Sequence, residues 1–197
     1  ATQINSSEPL YIGVDWGTGT GKDDTAITVG QNLNGTSHIH RVYYFNDKRA
    51  TETINYFNKI ISYYISKGFR DISIVVEKNS IGNIYYDLLR DEVEMIENNH
   101  NTTSDWRDEV SITVQTFNTT NQSKKRIIEM LCTLFEQKNI IIPDDNKLLT
   151  QLSMFEAKIN ELGTVKYAGA NGSHDDLVMS LCILISVLWN VSEKDEE

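Results

Sequence analysis

The sequence predicts an α/β fold: a central mixed β-sheet, made of an antiparallel three-strand meander plus parallel strands, flanked by helices. Three observations predict it. Short apolar runs end in acidic residues at Leu10–Asp15 and Ile72–Glu77, as buried strands do. Asn34-Gly35 sits between two β-branched runs, a strong hairpin signal. The later strand candidates alternate with segments whose apolar residues recur at helical spacing.

Leu10–Val14 is the first strand, and the Gly-, Thr- and Asp-rich Trp16–Asp24 is a turn. Thr25–Gln31 and His38–Phe45 are the second and third strands, antiparallel across Asn34-Gly35. Thr51–Lys67 is a helix with Ile54, Phe57, Ile60, Ile61, Tyr64 and Ile65 on one face, and Gly68 closes it. Ile72–Glu77 is a buried strand, a helix begins at Asn83–Arg90, and the polar Asn98–Asp108 reads as an exposed loop. Ser111–Gln115 is a fourth buried strand candidate. Ser123–Lys138 is a helix, Ile140–Ile142 a short edge segment before Pro143, and Lys147–Phe155 a helix. Glu156–Tyr167 turns about Leu162-Gly163 as a hairpin, and Asp175–Val191 is the last helix, apolar enough to be buried. Residues 1–8 and 192–197 read as flexible tails of a single domain spanning 1–197.

Composition narrows the function. Apolar residues are 40% and charged residues 23% of 197, ordinary for a globular domain with one core. The apolar run Leu177–Val191 is shorter than the roughly 20 residues that span a bilayer, so no membrane role is expected. No basic and apolar leader is visible at the N-terminus. Cys132 and Cys182 lie in apolar helical runs without a CxxC or Cys/His cluster, and read as two reduced core thiols in a reducing compartment. A net charge of −10 excludes nucleic-acid binding through a broad basic surface and leaves only local contacts.

Three acidic sites carry the chemistry. Asp15 and Glu77 end strands, and Asp175 and Asp176 open the last helix. Singly, each is often a turn residue or a helix cap. Together, adjacent strand ends and an abutting helix start converge on one point. Carboxylates so gathered repel one another and raise each other's pKa, which a cation relieves. Their oxygens suit Mg²⁺ or Mn²⁺. Two such ions roughly 3.5–4 Å apart activate water and stabilise the leaving oxygen of a phosphodiester.

The residues then resemble a family. Tyr11-Ile-Gly-Val-Asp15-Trp-Gly with Gly21-Lys-Asp23-Asp24-Thr-Ala-Ile-Thr-Val29, Val76-Glu77-Lys78-Asn79-Ser80-Ile81-Gly82, and His174-Asp175-Asp176-Leu177-Val178-Met179-Ser180-Leu181 are similar to three motifs of the nuclease domain of viral terminase large subunits, in the RNase H-like superfamily. The similarity runs from about residue 10 to 190. It implies an RNase H-like fold with an added hairpin near the active site. It implies Asp15, Glu77 and Asp175 as catalytic ligands of two divalent cations, with Asp176 and Asp23 as further ligands. His174, Lys78 and Asn79 are accessory candidates, and Gly82 admits close approach of backbone or substrate. Lys124, Lys125 and Arg126 open a helix against its dipole, which makes a phosphate partner attractive there. On the hairpin, Lys158 and Lys166 are candidate DNA contacts from the resemblance alone.

The implied activity is metal-dependent endonucleolytic cleavage of double-stranded viral DNA concatemers during packaging, leaving 5′-phosphate and 3′-hydroxyl ends. The implied setting is the infected cell's cytoplasm, with an ATPase domain, small terminase and portal as partners. Gly17–Lys22 is not a P-loop, because Asp23 stands where Ser or Thr is required. No ATPase is expected here, and the segment reads as the nuclease part of a longer ATPase–nuclease chain. Two other readings remain open: a junction resolvase or integrase type of nuclease, and a non-catalytic domain that docks on the packaging motor.

Overall fold

The computed structural model describes residues 2–17, 23–46, 48–78, 82–159, 165–169 and 174–190, with the side chains of 82–83, 156–159, 165 and 169 outside that description. Thr18–Lys22, Asn79 and the side chain of Lys158 therefore lie outside the described residues.

The meander is β1 (Leu10–Asp15), β2 (Thr25–Leu33) and β3 (Thr36–Phe45). Asn34 and Gly35 turn between β2 and β3 with φ of 53° and 80°, the left-handed pair that a tight hairpin requires. After α1 (Ala50–Ser66) come β4 (Asp71–Glu77), α2 (Gly82–Thr103), β5 (Ser111–Phe117), α3 (Asn121–Glu136), β6 (Ile140–Ile141), α4 (Asn146–Met154), the hairpin β7 (Phe155–Ile159) and β8 (Val165–Gly169), and α5 (Asp176–Leu188). The six-stranded sheet runs β5-β4-β1-β2-β3-β6, with β1 antiparallel to β2 and parallel to β4. This is the mixed sheet expected, and β7 and β8 pair antiparallel as the expected hairpin requires, its Leu162-Gly163 turn lying outside the described residues.

Two cores cover its faces. Leu10, Ile12 and Val14 of β1 pack with Phe57 and Ile61 of α1 and Leu89 of α2. The opposite face packs on α3, α4 and α5, and α5 is buried along almost its whole length. Phe155 and Tyr167 seat the hairpin on this second core. Among the described residues no helix is long and apolar enough to cross a membrane.

Three expectations are corrected. Asn98–Thr103 is not loop but the last turns of α2, followed by a short 3-10 turn at Trp106–Asp108. The cause is tertiary: Asn101 clamps the backbone of Val110 by accepting its N–H at 2.8 Å and donating to its carbonyl at 3.0 Å. β5 is a half-exposed edge strand, with Ile112 and Phe117 turned inward. Cys132 is exposed, on the outer side of α3, and only Cys182 is a core thiol.

Candidate active site

The carboxyl end of β1 is where the acids meet. Val14 pairs with Val76, so Asp15 and Glu77 stand abreast on neighbouring parallel strands and their side chains hydrogen-bond. Both lie two residues beyond positions on the α5 face, Gly13 and Val75, and therefore point to that face. Asp15 is 8% exposed. Burial pushes its carboxyl well above the usual carboxylate range, the Glu77 hydrogen bond and charge add to this, and Asp176 and Asp175 add further.

Helix α5 comes this close because residue 13 is glycine. A Cβ there would lie 2.5 Å from the Ser180 carbonyl oxygen and 2.6 Å from the Leu184 nitrogen. A Thr28–Ser180 hydroxyl pair at 2.7 Å fixes the helix along its axis. The first turn of α5 thus reaches the acidic end of the sheet.

The two acids of that turn separate. Asp176 is buried and its Oδ2 accepts the Asp24 backbone N–H at 3.0 Å. Burial raises its carboxyl to about 6, against that hydrogen bond and with the help of Asp23, Asp175 and Asp24. Asp175 occupies the N-cap position without capping, and its carboxylate faces the Lys124 ammonium at 3.4 Å. Asp23, His174 and Asp176 offer donor atoms within 4.8 Å of one another, and His174 Nδ1 is 3.2 Å from Asp23 Oδ1. Asp176 therefore lies between a buried group, Asp15 with Glu77, and a more exposed one, Asp23 with His174.

Asp23 and Asp24 stand just before β2, against Gly17. The Gly17 N–H donates to Thr25 Oγ1 at 3.1 Å, and a Cβ on Gly17 would meet the Asp23 carbonyl oxygen at 2.6 Å. Lys78 is exposed, with its N–H on the Phe117 carbonyl. Lys125 pairs with Glu129 at 3.8 Å on the outer side of α3, and Arg126 is half-buried. Thr120 and Ser123 box the α3 N-terminus, which satisfies part of the amide array. Lys166 is exposed on β8.

Sequence reasoning missed two residues of α4. Gln151, 6% exposed, accepts the Leu177 N–H at 2.8 Å and the Val178 N–H at 3.4 Å, capping α5 from outside. One turn earlier on the same side, the Lys147 ammonium pairs with Asp24. A neutral amide thus takes the helix amides that Asp175 would otherwise serve, and a cation holds the residue that holds Asp176. The one visible signal was the i, i+4 spacing of these polar residues around the buried Leu148.

The mixed sheet, with a carboxylate cluster at its carboxyl edge, defines an RNase H-like fold. The chain belongs to the terminase family: the model for "Terminase Bacteriophage T7, Ribonuclease H-like domain" matches residues 14–140. The match makes it a terminase ribonuclease H-like domain. Among solved structures it is similar to the large terminase nuclease of thermophilic phage G20c with bound magnesium, at 18% identity and TM-score 0.67 over 94% of this chain and 84% of that one. The human cytomegalovirus terminase nuclease domain, soaked with manganese, shares 13% identity at TM-score 0.65, over 93% and 84% of the two chains. The large terminase of a second thermophilic bacteriophage, in complex with ATP-γ-S, shares 15% identity at TM-score 0.62, over 91% of this chain and 40% of that one. No curated protein matches.

Proposed function

We propose that the chain is a divalent-metal-dependent endonuclease that cuts double-stranded DNA concatemers during packaging, with Asp15, Glu77, Asp176 and Asp175 around one ion and Asp23, His174 and Asp176 around a second. The observation that carries this is the buried Asp15 carboxyl held against Glu77 with Asp176 beside it. Such a group is costly when ionised and gains most from a hard cation. The donor set fits Mg²⁺ or Mn²⁺: oxygens throughout, with one imidazole at the exposed side. The magnesium and manganese of the G20c and cytomegalovirus structures support the same choice.

Bound ions would supply water activation and neutralise charge on the phosphodiester. The chain's own residues do the rest. Asp15 and Glu77 present oxygens from rigid strand ends, and α5 presents Asp176 from a buried first turn. His174, half-exposed beside Asp23, offers a ring nitrogen to the second ion. Lys78 and Lys166 are exposed cations for the DNA backbone. Lys124 holds Asp175, and this pair sets how far Asp175 enters the cluster. The 40% coverage of the large terminase crystallised with ATP-γ-S supports reading this domain as the nuclease unit of a longer chain with a nucleotide-binding part.

Plasmid cleavage tests the reading. Wild-type protein should nick and linearise supercoiled DNA with Mn²⁺ and not with EDTA, and Asp15→Asn should fall to background. Equal cleavage by both proteins would assign the activity to a contaminant and remove the proposal. A preference for four-way junctions over linear duplex would favour the resolvase-type alternative.

A further inference from the structure

The acids belong to a row that extends further across the sheet. Glu77 stands beside Asp15, Asp15 pairs with Ala26, and Ala26 pairs with Tyr44. Ala26 and Val42 lie in the core on the α5 face, so Tyr44, two residues after Val42, points to that same face. Tyr44 stands two strands from Asp15, roughly 10 Å away, with only an alanine between them. Tyr44 is 41% exposed, and the Lys147 ammonium lies 4.6 Å from the centroid of its ring. The same ammonium pairs with Asp24, whose N–H holds Asp176. Tyr44 is thus linked to the acidic cluster through Lys147 and Asp24.

Beyond Tyr44 the sheet edge opens. Among the described residues β6 pairs with Ser37 and His38 alone, and past it a cavity of about 420 Å³ lies between Arg41, Tyr44, Phe45, Tyr56 and the segment Pro143–Asp145. Tyr56 is also 41% exposed and stacks on Phe45 at 4.7 Å.

We propose that Tyr44 and this cavity bind an unpaired nucleotide of the DNA strand next to the cut, an inference that rests on the nuclease reading above. Aromatic rings bind the faces of bases, and a base shows its face only when it leaves the duplex stack. Asp144 and Asp145 line the cavity and repel phosphate, so the base enters rather than the backbone. Carboxylates also accept the amino protons of bases, and Asp145 has one oxygen on the Leu148 N–H at 2.9 Å. The cations stand at the two ends, Lys147 toward the acids and Arg41 on the ring of Tyr43 at 4.9 Å, where the flanking phosphates of a bound strand would pass. The domain would then favour DNA that is frayed or gapped beside the cleavage point.

The test is a fluorescence titration of a single-stranded octamer carrying 2-aminopurine, at low salt with Ca²⁺ in place of Mg²⁺. Tyr44→Leu should weaken binding about tenfold, the scale of one lost base–ring stack. Tyr44→Trp should bind like wild type, and so should Tyr63→Leu, which alters an exposed ring on the outer side of α1. Equal binding by wild type and Tyr44→Leu, or an equal loss in Tyr63→Leu, would overturn the proposal. Plasmid cleavage separates the two levels. Active wild type and silent Asp15→Asn with an unaltered Tyr44→Leu titration removes only the subsite, whereas an inactive wild type removes the nuclease reading beneath it.

Discussion

Asp176 carries a cost that pH reveals. Its folded pKa of about 6 lies above the ordinary value of 3.8, so the folded state prefers the protonated form. The penalty is absent below the ordinary value, grows as pH rises between 3.8 and about 6, and is complete above that. Asp15 is shifted in the same direction and deepens the penalty. Asp176→Asn keeps an oxygen for the Asp24 N–H and removes the charge. Without metal at pH 8 this variant should melt above wild type, by roughly 2–4 °C for each kcal/mol relieved, and the two should converge near pH 4. Mn²⁺ should raise the melting point of wild type and leave the variant nearly unchanged. A variant that melts below wild type at pH 8 would show that the Asp176 charge is already compensated. Sequence alone could not rank Asp175 against Asp176, because adjacent residues at a helix start point in different directions. Which one faces the sheet depends on how α5 is seated.

That seating is set by residues far apart in the chain. Gly13 lets α5 touch β1, Ser180 meets Thr28, and Gln151 caps the helix from α4. The strands, the hairpin at Asn34-Gly35 and the amphipathic helices were legible because their signals are local and periodic. Gly13 reads as an ordinary strand glycine until α5 lies on it, and Gln151 reads as a surface residue of α4 until α5 supplies its partners. Asn98–Thr103 reads as loop for the same reason, since the Asn101 clamp on Val110 cannot be seen in a polar stretch. Gln151 gives the test at this scale. Gln151→Leu removes the acceptor and should weaken Mn²⁺ binding, read by electron paramagnetic resonance, by about tenfold or more, as loss of a supporting hydrogen bond does. Gln151→Glu still accepts both amides and should bind Mn²⁺ at least as well as wild type. Unchanged Mn²⁺ affinity in a folded Gln151→Leu would show that α5 is held by its apolar contacts alone.

At the scale of the molecule, the proposed function asks an acidic protein to handle an anionic polymer. With a net charge of −10, its long-range field opposes DNA, and the exposed cations Lys78, Lys125 and Lys166 are scattered. On the proposed reading, attraction comes from ions held by the carboxylates, and the acids serve the substrate only when loaded. The sheet order explains why three separated stretches can share one site: β1 lies between β4 and β2, and α5 crosses directly over it. The convergence of Asp15, Glu77 and the Asp175–Asp176 pair was legible as strand ends and a helix start. The row through Ala26 to Tyr44 was not, because it depends on the register of three strands. The most direct measurement is an anomalous difference map from crystals soaked in Mn²⁺. Density is expected among the oxygens of Asp15, Glu77 and Asp176, with a second peak toward Asp23 and His174. A map whose only peaks lie elsewhere on the acidic surface would contradict a shared metal site.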